Sequence, residues 1–223
     1  MKYENTCLAT FLERPNRFIA VVEIDGRKER VHVKNTGRCK ELLVQGCQVV
    51  LQKGQNPARK TAYDLICVYK PFLGWVNIDS AAPNQVVGEW LAGQGFSLVR
   101  PETTYGDSRL DFYLERGQEK IFMEVKGCTL EVDGIGYFPD APTLRGVKHL
   151  RTLATAAKAG YRAVAAFVIQ MNGIFEVRPN IATHPEFGQA LAEAKAAGVE
   201  VVYFCCRVNE HSLEIKKVLP KNI

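Results

Sequence analysis

The sequence has no C-x-x-C pair, no apolar run near the ~18 residues that cross a bilayer, no internal repeat and no low-complexity tract. Each absence removes a class of protein. Seven cysteines, at 7, 39, 47, 67, 128, 205 and 206, leave one over after any pairing, which argues against a disulfide framework. Without paired spacing they make no zinc site either. A reducing compartment is expected. The opening MKYENTCLATFLERPNRF lacks the apolar centre of a secretion signal, so a cytoplasmic protein with no membrane association is expected.

What remains is ordinary for a globular chain: 223 residues, 47% hydrophobic and 24% charged, enough for one large domain or two small ones. The net charge of +5 is unevenly placed. Residues 1–85 hold 13 Lys and Arg against 8 Asp and Glu, whereas residues 86–223 hold 16 of each. A basic first part suits a polyanionic partner, although a charge of this size also serves plain solubility.

Residues 6–79 read as short β-rich runs: CLATFLE, RFIAVVEI, a D-G turn, RVHV, QVVLQ, AYDLICVY and WVNI. Helical periodicity is scarce apart from CKELL. Five or six short strands with one helical turn predict a small closed barrel of OB type. A boundary is expected near DSAAPNQ, giving domains of 1–82 and 83–223. The grammar then changes. VVGEWLAG reads as a short helix closed by Gly93, FSLVRPET, SRLDFYLE and KIFMEVKGCTL as strands, and TLRGVKHLRTLATAAKAG as a long helix capped by Thr143 and ended by Gly160. With the strand YRAVAAFVIQ the order is α-β-β-β-α-β, extended by the helix PEFGQALAEAKAAG and the strand VEVVYFCCRV.

Two acids stand where strands prefer apolar residues: Asp111 inside LDFYL and Glu124 inside IFMEVK. A two-residue turn at Gly117–Gln118, glycine first, would set Asp111 opposite Glu124, with Cβ atoms ~4.5–5.5 Å apart. Alternation should place Leu110, Phe112 and Leu114 on one face with Met123 and Val125, and both acids with Lys126 on the other. Facing carboxylates repel, so a cation is required. Mg²⁺ or Mn²⁺ would suit two carboxylates plus water and phosphate, and Lys126 could then assist at a phosphate. The plain alternative is a solvated strand face on which Lys126 pairs with one of the acids.

The α-β-β-β-α-β order carries Asp and E-x-K where the PD-(D/E)XK nuclease fold has its own, on the second and third core strands. The chain also resembles the sugar fermentation stimulation protein family (SfsA) through RPNRF (14–18), NTGR (35–38), RKTAYDLI (59–66), SRLDF (108–112), EVKGCTL (124–130) and FPDAPTLRGVKHL (138–150). The resemblance implies an α/β (mixed α+β) chain: an N-terminal OB-like β-barrel, then a PD-(D/E)XK nuclease-like domain, in a DNA-binding protein tied to the regulation of sugar use. Gly127, where the family usually has Ser, and HPEF at His184 depart from its pattern. Neither touches Asp111, Glu124 or Lys126.

Among further candidates, Glu89 in the first helix is the preferred third metal ligand, since nuclease-like folds often use an acid there; Glu102 and Gln170 are weaker. Arg145, Lys148 and His149 share one face of the long helix and would hold phosphates. Arg14, Asn16, Arg17, Asn35, Arg38, Arg59 and Lys60 cluster in first-domain loops as nucleic-acid contacts, with Tyr63 and Trp75 available for stacking and Phe18 expected in the core. His32 reads as a satisfied strand residue. The leading expectation is a nucleic-acid-binding protein, the nucleic acid being DNA, with a Mg²⁺-dependent nuclease centre; the alternative is a non-catalytic DNA-binding regulator on the same fold.

Overall fold

The computed structural model describes residues 1–56 and 58–220. Its first half is built by six strands: β1 (Thr6–Asn16), β2 (Ile19–Ile24), β3 (Arg27–Val33), β4 (Gln48–Lys53), β5 (Tyr63–Lys70) and β6 (Gly74–Asn77). Their order is β3-β2-β1-β4-β5-β6, and a parallel pairing of β3 with β5 through His32–Asp64 and Val33–Leu65 closes five of them into a barrel. Closure removes the exposed edges. The segment CKELL forms one helical turn, with the Leu43 N–H bonded to the Cys39 carbonyl. Buried on five successive residues, β5 packs Leu65 into the barrel and Ile66 and Cys67 outward against the second half. That accounts for its unbroken apolar run.

The second half comprises α1 (Ala82–Leu91), β7 (Leu98–Tyr105), β8 (Ser108–Arg116), β9 (Glu119–Cys128), β10 (Leu130–Val132), β11 (Ile135–Phe138), α2 (Leu144–Lys158), β12 (Arg162–Ile169), β13 (Val177–Pro179), α3 (Pro185–Ala196), β14 (Glu200–Asn209) and β15 (Ser212–Leu219). Six of the strands form one sheet in the order β15-β14-β12-β9-β8-β7. β9, β12 and β14 run parallel and are buried through their centres, as strands covered on both faces are. α2 and α3 cover one face through Val147, Leu150, Leu153 and Phe187, while α1 covers the other with Val86, Val87 and Leu91. Cys205 and Cys206 fall one on each face. No helix among the described residues is long and apolar enough to cross a membrane.

Four local expectations differ from the structure. α1 starts at Ala82, not near Val86, because Pro83 tolerates the first turn, where its missing N–H costs nothing. It stops at Leu91, and the left-handed residue beyond it is Gly95 (φ 71°), not Gly93. Phe18 is 51% exposed and so lies outside the core. Leu110 packs under α2, while Phe112, Leu114, Met123 and Val125 pack under α1. Alternation breaks at that point because Glu102, opposite Asp111, adopts φ 52° and the β7–β8 pairing skips both residues. The long helix matches its caps: Thr143 Oγ1 accepts from the Gly146 N–H, and Gly160 (φ 89°) ends it, with the Tyr161 N–H returning to Ala156.

Candidate active site

Gly117 at φ 60° opens a two-residue turn, and β8 pairs with β9 from Arg116–Glu119 to Phe112–Met123. The register thus ends one residue short of the expected Asp111–Glu124 pair. Regular pairing stops there, since Asp111 itself takes the next donor: its Oδ2 accepts the Val125 N–H at 2.7 Å, and its Oδ1 accepts from Asn84 Nδ2 of α1 at 2.8 Å. Burial, then the negative charge of Glu124, raises the Asp111 carboxyl above its ordinary value, partly offset by Lys126.

Glu124 is only 2% exposed. Its Oε1 accepts from both Lys126 Nζ and His149 Nδ1. Burial opposes its ionisation, but the His149 hydrogen bond and the Lys126 charge outweigh burial and hold its carboxyl below the usual value. Arg145 Nε lies 3.4 Å from His149 Nε2; an arginine can only donate, so Nε2 accepts and the ring proton sits on Nδ1, facing Glu124. Glu124 Oε2 is buried with no hydrogen-bond partner among the described residues.

The remaining expected residues distribute unevenly. Glu89 does not join the acids: its carboxylate is 2.8 Å from the Met1 amino group and accepts from Gln85. Five residues past Asn84, it lies on a different face of α1. Glu102 is exposed and faces Arg109. The basic face expected on α2 is split, because His149 lies in the buried stripe with Gly146, Val147, Leu150 and Leu153, whereas Lys148 points outward to Asp107 at 3.0 Å. Arg59 is spent on Asp64, and Lys60 is exposed.

Arg14, Asn16, Arg17, Asn35 and Arg38 do converge, on a cleft of about 800 Å³ between the barrel and the large sheet. Two kinds of residue share it. Arg14 donates to the carbonyls of Arg17, Asn35, Gly37 and Arg38, Asn16 accepts from the Phe18 and Ile19 N–H groups, and Asn35 bonds Ile78 O and Gly37 N, so these three build the loops. Arg17 and Arg38 are exposed, with no side-chain hydrogen bond or ion pair among the described residues. The opposite wall includes Gly127, next to Lys126, and Gln170. Gln170 is buried and joins the two halves, its Nε2 donating to Asn77 Oδ1 at 2.8 Å and Asp79 O at 3.1 Å.

Residues 12–78 match the family model for the SfsA N-terminal OB domain, and residues 81–212 match that for the sugar fermentation stimulation protein RE domain. The chain belongs to the sugar fermentation stimulation protein family. It is 53% identical over 217 residues to a sugar fermentation stimulation protein homolog of Desulfitobacterium hafniense, covering 96% of this chain and 95% of that one. The Clostridium beijerinckii homolog is 51% identical over 220 residues, with 97% of each chain covered. In three dimensions the chain is similar to Pyrococcus furiosus SfsA, solved in complex with Ca²⁺, with a TM-score of 0.84 at 27% identity over 96% of this chain and 95% of the other.

Within this family member, the donor set fits a hard divalent cation. Among the described residues no three His, Cys, Asp or Glu side chains form a complete ligand group, so an ion here would take Asp111 and Glu124 and fill its shell with water and phosphate, as Mg²⁺ does readily. Glu124 Oε2, without a partner among the described residues, would be the atom open to such an ion. Sequence reasoning missed Asn84, hidden by the late helix start, and assigned His149 to phosphates with Arg145 and Lys148, although its position among Gly146, Val147, Leu150 and Leu153 carries the signal of burial.

Proposed function

We propose that this member of the SfsA family is a divalent-cation-dependent phosphodiesterase acting on nucleic acid, DNA in the first instance, in the cytoplasm, with residues 83–223 as its catalytic part and residues 1–82 as a binding part. Glu124 Oε2 carries the reading: a buried carboxylate oxygen with no partner among the described residues costs stability unless a ligand uses it, and the Glu124 charge is felt by Asp111. Asp111 and Glu124 would hold Mg²⁺ or Mn²⁺; when bound, such an ion lowers the pKa of a coordinated water and neutralises charge on a phosphate. The Ca²⁺ complex of the Pyrococcus furiosus relative supports a cation-binding role.

The chain's own groups have separable tasks. Lys126 would bring an ammonium to a phosphate, and His149, by occupying Glu124 Oε1, would leave Oε2 open to a cation. Asn84 and the Val125 N–H fix the two oxygens of Asp111. Arg17 and Arg38 add positive charge for the polyanion.

A second reading, a DNA-binding regulator without turnover, draws on a different observation. Lys126 and Glu124 already satisfy one another, so the fold holds its charges in place without chemistry. Digestion of single- and double-stranded DNA and RNA in Mg²⁺ or Mn²⁺, by wild type and Lys126→Ala purified identically, separates the two. Turnover is expected in wild type alone; equal digestion by both, or by neither, leaves the regulator.

A further inference from the structure

We infer that the cleft between the barrel and the large sheet seats a single-stranded polynucleotide, with phosphates along Arg17, Arg38 and Lys40 and unpaired bases turned inward toward Tyr137 and Gln170. The inference rests on reading Asp111, Glu124 and Lys126 as a phosphodiesterase centre, and it names the form of the substrate.

Continuity comes first. Gly127 follows Lys126 and Pro83 precedes Asn84, and both line the cleft, so a strand lying in it runs directly to the carboxylates. Charge is the second observation. Arg17, Arg38 and Lys40 are exposed and make no side-chain hydrogen bond or ion pair among the described residues, so nothing in the fold consumes their charge. Asp140, the one acid on the wall, gives an oxygen to the Cys39 N–H at 2.8 Å.

Size and chemistry decide between one strand and two. At about 800 Å³ the cleft falls in the range that encloses a small organic ligand. A duplex keeps its bases paired and stacked, so it has no free base faces to turn inward against such a wall, as an unpaired strand has. Single strands are held by a basic track together with aromatic faces for the bases. The basic track is present, Tyr137 is half-buried in the wall, and Phe18, outside the wall but adjacent in sequence to cleft-lining Arg17, is 51% exposed. Gln170 adds a polar contact: its amide nitrogen is fixed by Asn77 and Asp79, which leaves Oε1 to accept from a base or sugar. Gly127 permits this placement, because a Cβ there would lie 2.2 Å from Gln170 Oε1.

Fluorescence anisotropy of the full chain in EDTA, with oligo-dT, oligo-U and a blunt DNA hairpin, tests the cleft without turnover; the same substrates are then digested in Mg²⁺. Single strands should bind at least about tenfold more tightly than the hairpin. Arg17→Ala with Arg38→Ala should flatten the single-strand salt slope by roughly 1.4, two phosphate contacts at about 0.7 each. Phe18→Ala should weaken single-strand binding by about 5- to 150-fold, the span of one base stack. Circular dichroism confirms folding of each variant, and the dT and U arms show which sugar is accepted. Hairpin binding equal to single-strand binding, with all variants affecting both alike, overturns the inference. Cleavage confined to duplex overturns it too and leaves the phosphodiesterase standing, whereas variant-sensitive single-strand binding without any digestion retains the cleft and removes the catalytic reading.

Discussion

His149 and Lys126 hydrogen-bond the same oxygen of Glu124, Oε1, and Oε2 is left buried with no partner among the described residues. Helix α2 thus reaches across to the third strand of the sheet to set one carboxylate. On the proposed function, His149 would act through a metal ligand and not on the substrate.

Removing it should therefore be visible in metal binding before any turnover is measured. His149→Ala is expected to lower Mn²⁺ affinity about 10- to 100-fold, the usual effect of losing a group that orients a metal ligand. His149→Gln, which retains a donor, should lose less. Calorimetric titration of Mn²⁺ into each full-length variant measures this, and wild-type affinity in His149→Ala would remove the role.

Asp111→Asn separates ligation from nucleic-acid binding. The amide can still accept from the Val125 N–H, so the hairpin should fold, but the charge that draws the cation is gone. Loss of Mn²⁺ binding and of digestion is expected, with nucleic-acid affinity unchanged or higher because a repelling charge is removed. Affinity that falls in step with metal binding would contradict it.

Much of this was legible in the sequence because it rests on local chemistry. The Gly117–Gln118 turn fixed the hairpin register, Thr143 and Gly160 bounded α2, and the D-G turn placed β2 against β3. What escaped depends on packing. Asp133–Gly134 is an equally plain turn signal inside LEVDGIGYF, yet β10 and β11 form a small separate sheet with β13, which arrives 40 residues later. Arg14 looked like a phosphate contact by type, and only the fold shows its guanidinium spent on four backbone carbonyls. Glu89 matched the habit of nuclease-like folds to take an acid from that helix, but it lies on a different face of α1 from Asn84 and meets the Met1 amino group.

Asn77 and Gln170 join the barrel to the large sheet through buried polar groups. Asn77 Nδ2 donates to Tyr3 Oη at 2.9 Å, while Oδ1 accepts from Gln170 and from the Asp79 N–H. Burial, then the Asp79 charge, pushes the Tyr3 phenol well above its ordinary value, so it remains a neutral partner. Asn77→Ala strands several of these groups and should cost about 1–3 kcal/mol for each one left unsatisfied. A guanidinium unfolding midpoint equal to wild type would count against this network as a joint.

Asp64 gives the barrel an acid-sensitive closure. Arg59 Nη1 lies 3.0 Å from Oδ2, Arg59 Nη2 bonds Oδ1, and His32 Nδ1 is 2.9 Å from Oδ1, beside the pairing that closes β3 on β5. Burial opposes ionisation, but the hydrogen bonds from Arg59 and His32 outweigh it and hold the carboxyl below its usual value. The folded state therefore binds this proton more weakly than the unfolded chain, whose Asp titrates near ~3.9. Stability from the ionised group is fully present above that value and is lost as pH falls through the lower, folded one. Thermal midpoints should show Asp64→Asn less stable than wild type at pH ~7, with the difference shrinking below pH ~4 as the wild type protonates. Exposed Asp107, whose carboxylate meets Lys148 Nζ and Ser108 Oγ at the surface, is the control: Asp107→Asn should stay close to wild type at every pH, since exposed pairs contribute little. A difference between Asp64→Asn and wild type that stays constant on acidification would show that the carboxylate's charge does not help close the barrel.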